Sequence, residues 1–116
     1  MTILYLEDKD QQFEKRQLDN LNFDAITGLV GKEAEAVYLP QNIVLWKNPR
    51  AAVLHESKTI VVQQEGELNE VIHGKVIITG TDGNKTVELK EDQIQWVYDR
   101  LIHVEEEGEK LPALPY

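Results

Sequence analysis

The chain has 116 residues, 41% hydrophobic and 28% charged, with 12 basic and 21 acidic side chains and a formal net charge of −9. Such a length and composition fit one globular domain with a real hydrophobic core and exclude a disordered chain. The lack of cysteine excludes disulfides, thiolate metal sites and cysteine nucleophiles, and the acidic excess argues against direct nucleic-acid binding, which needs clustered Lys and Arg.

In chain order, Thr2 to Leu6 is a short apolar run that reads as an opening strand. After the polar loop Glu7–Asp10, residues Gln12 to Leu18 alternate weakly, as an edge strand does. Asn20 or Asn22 can N-cap a short helix, since an Asn carbonyl accepts from free first-turn N–H groups. Phe23, Ile26, Leu29 and Val30 follow at helical spacing, and Gly31 stops the helix. Ala34 to Leu39 and Ile43 to Trp46 read as strands joined at Pro40-Gln41-Asn42. Asn48-Pro49 breaks the second of them, because proline cannot donate to a ladder.

Ala51 to Leu54 reads as a weak continuation, Thr59 to Gln64 as a strand rich in β-branched residues, and Glu65-Gly66 as a turn. Val71 to Thr79 is expected to form one long strand, the strongest in the chain. It is followed by the hairpin signal Gly80-Thr-Asp-Gly-Asn84 and a return strand, Thr86 to Leu89. A last helix is expected from about Glu91 to His103, burying Ile94, Val97, Tyr98 and Leu101. Residues 105–116 read as an acidic, Pro-rich tail to a domain spanning 1–104. The fold class expected is α+β: a mostly antiparallel sheet, a short helix after the second strand, and a longer C-terminal helix packed on the sheet.

No motif for catalysis or metal binding emerges. His55, His73 and His103 lack the local spacing of ligand sets. The Gly80–Thr86 segment holds Gly, Lys and Thr but joins two strands, where a phosphate loop joins a strand to a helix. Ser57, the only serine, has no nucleophile elbow around it. A non-enzyme without metal or cofactor is the expectation. No apolar run reaches the length of a membrane span, and the first residues lack a signal-peptide pattern, so a cytoplasmic protein is expected.

The charge is unevenly spread. Residues 1–58 hold seven basic and nine acidic side chains (−2), residues 59–116 five and twelve (−7). Solubility is the simpler account of such an excess; the sharper one is an acidic surface that meets a basic partner. On a helical wheel Trp96 falls opposite Ile94, beside Asp99, Arg100 and His103. It either anchors a partner or is covered by Leu111, Leu114 and Tyr116. The candidate partner-binding residues are therefore Trp96, Asp99, His103, Glu105, Glu106, Glu107 and Glu109. Near the Asn48-Pro49 break, Trp46, Lys47 and Arg50 form the local cluster able to hold a small nucleotide.

The run Gln17–Gly31, the pair Ala36–Leu39 and Ile43–Trp46, the segment Ile72–Gly80 and the helix opening Leu89–Ile94 together resemble a family of small proteins of unknown function. That family is encoded mainly by phages and conjugative elements of Gram-positive bacteria. The chain departs from its pattern between Asn48 and Glu70 and in the acidic tail. The resemblance implies a genomic setting and no catalytic residues. From that setting comes the expectation of an accessory protein acting in the host cytoplasm. It would inhibit a basic host protein, such as a nuclease or CRISPR effector, through an acidic, DNA-mimicking surface; a homodimer is compatible with this role. The alternatives are a binder that sequesters a nucleotide signal and a non-inhibitory accessory protein.

Overall fold

The computed structural model describes residues 1–116 as a mixed α+β protein of ten strands and two helices. In order these are β1 (Thr2–Leu6), β2 (Glu14–Gln17), α1 (Phe23–Val30), β3 (Glu35–Leu39), β4 (Ile43–Lys47), β5 (Lys58–Gln63), β6 (Glu70–His73), β7 (Val76–Asp82), β8 (Lys85–Val87), α2 (Glu91–Arg100), β9 (Ile102–Glu106) and β10 (Glu109–Pro115). They build two sheets where the sequence suggested one. The first runs β2-β1-β7-β4-β3, with β8 also paired to β7; the second runs β6-β5-β10-β9. Every pairing is antiparallel except β5 with β10.

The side-chain pattern explains the layers. In β1, Leu4 and Leu6 face the main core while Ile3 and Tyr5 face the other side, and in β7 Val76 and Ile78 divide from Ile77 in the same way. Both strands are covered on both faces, which is why they read as unbroken apolar runs instead of alternating ones. On one face α1 seals Ile3, Tyr5 and Ile77 with Leu21, Ile26 and Val30. On the other, Ile94 and Val97 of α2 meet Ile60, Val62, Ile72 and Leu114 of the second sheet. A smaller cluster of Val61, Leu111 and Ala113, flanked by Val71 and Val104, lies on the second sheet's outer face.

Helix α1 is set by local signals. The Asn22 side-chain Oδ1 accepts from Ala25 N–H at 2.8 Å, and the Gly31 N–H closes the last turn on Thr27 O at 2.9 Å. At the start of α2, Gln93 Oε1 accepts from Lys90 N–H at 2.8 Å.

Four sequence expectations are corrected. Val71–Thr79 is not one strand: Gly74, at φ +79°, turns the chain so that β6 joins the second sheet and β7 the first. Ala51 to Leu54 forms turns, with Leu54 N–H donating to Arg50 O and His55 N–H to Ala52 O. The last helix ends at Arg100, because Leu101 is extended and Ile102 onward pairs with β10. Residues 105–116 are the end of β9 and the whole of β10, not a tail. Glu107 (φ +50°) and Gly108 (φ +82°) make the tight turn between them, both central residues being left-handed as such hairpins require. Burial is the cause: Leu111, Ala113 and Leu114 are fully enclosed, and β10 lies between β5 and β9. Pro112 is tolerated because the ladder with β5 begins only at Ala113.

Candidate functional site

Where α1 ends and β4 runs out, two chain segments come close enough to form a cleft of about 470 Å³. Asn48 is its centre, only 8% exposed. Its Oδ1 accepts from Arg50 N–H at 2.9 Å, and its carbonyl accepts from Ala51 N–H at 3.1 Å. The Arg50 N–H needs an acceptor, so the amide orientation is fixed by the chain and Nδ2 is the end turned toward Gly31. A Cβ on Gly31 would sit 2.4 Å from that Nδ2, so only glycine permits this approach, and its φ of +124° also excludes other residues. No group of the chain hydrogen-bonds the Asn48 Nδ2.

Around this amide stand Lys32, Glu33, Arg50 and Glu56. Arg50 reaches Glu33 at 3.8 Å, a loose contact, and Lys32 makes no ion pair. The opposite wall is held by Ala51, which is buried, and by Glu56, whose N–H donates to Ala51 O at 3.0 Å.

Of the three residues expected beside a nucleotide, the cleft takes only Arg50. Trp46 packs on the α1 side and donates its indole N–H to Thr79 Oγ1 at 3.0 Å. Lys47 is held by Glu70 at 2.7 Å and Glu35 at 3.5 Å.

The residues expected at a partner surface divide into separate places. Trp96 is half-buried against the main core with the Arg100 guanidinium 4.3 Å over its ring, and it borders Gln41, Asn42 and Gln93. Asp99 accepts from Gln95 Nε2 at 2.7 Å. His103 lies opposite Pro112, at a groove with Phe13, Tyr98 and Ile102. The four glutamates gather at the β9–β10 turn. There Glu105 faces Lys110 across the ladder, and Glu106 faces Glu109. Glu107 accepts from Lys58 Nζ at 2.8 Å, and Glu109 lies 4.0 Å from the same ammonium. This hydrogen bond holds the Glu107 carboxyl below the usual range and raises Lys58 above its own.

Lys58 and Asn48 escaped the sequence reading. Nothing local marks Lys58, since the parallel pairing of β5 with β10 brings it to the hairpin. Asn48 stood out only as the residue before a proline.

Fold and site together define a two-sheet α+β domain with one amide-centred cleft and one acidic hairpin. The chain belongs to the family described as "Domain of unknown function (DUF3846)", whose model matches residues 1–102. That match stops as β9 begins, so the acidic turn and β10 lie beyond it. Neither a curated protein nor a solved structure matches the chain. No helix is long and apolar enough to cross a membrane.

Proposed function

We propose that this is a non-catalytic binding protein of a phage or conjugative element. In this reading the β9–β10 turn docks on a basic protein in the host cytoplasm, a nuclease or CRISPR effector being the class of target, and competes there with nucleic acid. The observation that carries the proposal is the pairing of Glu106 directly opposite Glu109. Like charges across a ladder weaken a hairpin, and a cationic partner would relieve them. Glu105, Glu106, Glu107 and Glu109 have only Lys58 and Lys110 near them as ladder or ion-pair neighbours, leaving −4 + 2 = −2 at the turn. Carboxylates so placed steer a basic groove during encounter more than they add to affinity.

Capture from a nuclease-treated bacterial lysate tests this when the parent is compared with the double variant Glu105→Lys, Glu106→Lys. Recovery of a basic nucleic-acid enzyme by the parent alone, lost in high salt, is the expected result. Equal recovery by both proteins refutes the hairpin as the docking surface. An empty capture moves the weight to a non-inhibitory accessory role. The nucleotide-sequestering alternative gains nothing from the cleft, because Trp46 is turned to α1 and offers no stacking face beside Arg50.

A further inference from the structure

We infer that the cleft at Asn48 binds the carboxylate of a small molecule, an activity separate from the acidic hairpin. Asn48 is 8% exposed, and its Oδ1 is satisfied by the Arg50 N–H. Its Nδ2, a donor with two protons, has no partner in the chain and, unlike a buried unsatisfied group, is in reach of solvent. A donor held at a fixed angle by a backbone bond is pre-organised, so an acceptor that reaches it bears little ordering cost.

Charge then selects the acceptor. Lys32 is unpaired and Arg50 is only loosely held by Glu33, so two cations can turn toward an oxyanion beside Nδ2. Glu33 and Glu56 stand on the same walls, making the lining formally neutral: Lys32 and Arg50 against Glu33 and Glu56. A neutral lining tolerates one negative charge better than two, which favours a monocarboxylate over a phosphate dianion. Leu54 is the one apolar wall and suits a short carbon portion. The cleft volume of about 470 Å³ is within the usual range for small-molecule sites.

The test is an NMR titration of the isotope-labelled full chain with sodium acetate and, separately, with inorganic phosphate at matched ionic strength. The expected result is saturable movement of the Asn48 side-chain NH₂ signals with acetate and weaker response to phosphate. Asn48→Asp keeps the shape of the side chain and an acceptor for the Arg50 N–H while replacing the donor by a negative charge. It should leave the backbone spectrum native and abolish acetate binding, read at the Arg50 amide. Arg50→Ala should weaken acetate by about tenfold, as loss of a charge-assisted bond does. Unmoved Asn48 NH₂ signals, or an Asn48→Asp titration equal to the parent's, would overturn the site. Tighter saturation by phosphate would overturn the assignment to a carboxylate.

Discussion

Replacing Leu114 by alanine should destabilise the protein by about 3 kcal/mol. Leu114 is fully buried in the main core, where it joins Ile60, Val62 and Ile72 of its own sheet with residues of the first sheet and α2. The substitution removes the equivalent of three methylene groups, worth roughly 2.4 kcal/mol at about 0.8 kcal/mol each. The cavity left behind adds to this, since a position lined from two sheets and a helix collapses poorly; buried Leu→Ala changes span about 2.7–5 kcal/mol. In a chain of this size each kcal/mol lowers the melting temperature by roughly 4 °C, so a fall of about 12 °C is expected. Urea unfolding followed by tryptophan fluorescence measures the change, with Leu68→Ala as the control. Leu68 is 95% exposed, and its replacement should stay within about 0.5 kcal/mol of the parent. If Leu114→Ala also stays within that margin, β10 is not part of the core and the account of the second sheet is wrong.

Two other perturbations probe the hairpin and the cleft. Lys58→Ala should let the Glu107 carboxyl rise toward the ordinary range, measured by carbon-detected NMR titration; an unchanged titration would refute the ion pair. Because the Glu107 value is lowered on folding, its contribution is present above the unfolded carboxyl range and lost as pH falls through the folded value. Lys58 is raised, so its contribution is present below the ordinary lysine range and lost as pH rises through the folded value. Gly31→Ala puts a methyl group 2.4 Å from Asn48 Nδ2 at a φ of +124°, and should cost about 1–3 kcal/mol in thermal or urea unfolding. A neutral result there would mean that the close approach of α1 to Asn48 is absent in solution.

Features set by neighbours along the chain were legible from sequence. Asn22 caps α1 and Gly31 ends it, because both signals act within one helical turn. The Gly83-Asn84 turn, with Asp82 and Lys85 paired on either side, needs only the left-handed freedom of Gly83, and Thr2–Leu6 declares itself by composition. What depended on distant pairing was not legible. Val71 to Thr79 has strand propensity throughout, and only contact of Gly74 with Ala51 and Glu56 shows that the chain must turn there. The helical stripe of α2 continues to Leu101, but Ile102 and Val104 are claimed by β10. Of the residues offered as a cover for Trp96, Leu111 fills the outer face of the second sheet, whereas Leu114 belongs to the main core against which Trp96 and Tyr116 both pack. The site followed the same division. Arg50 was named as a ligand-binding residue, while the open amide of Asn48 depends on a hydrogen bond and a helix end that no spacing reveals.

The parallel pairing of β5 with β10 has a consequence for how the protein is made. Synthesis runs from the N-terminus, so β5 leaves the ribosome about fifty residues before the strand that will lie beside it. During that interval Ile60, Val61 and Val62 have β6 on one edge and an unpaired row of backbone groups on the other. Late, long-range pairings of this kind are slow and leave strand edges open to other chains. The first sheet, by contrast, has all its strands by Val87. A product cut short after α2 would therefore hold one finished sheet and one sticky half-sheet, and its fate would be association rather than partial activity.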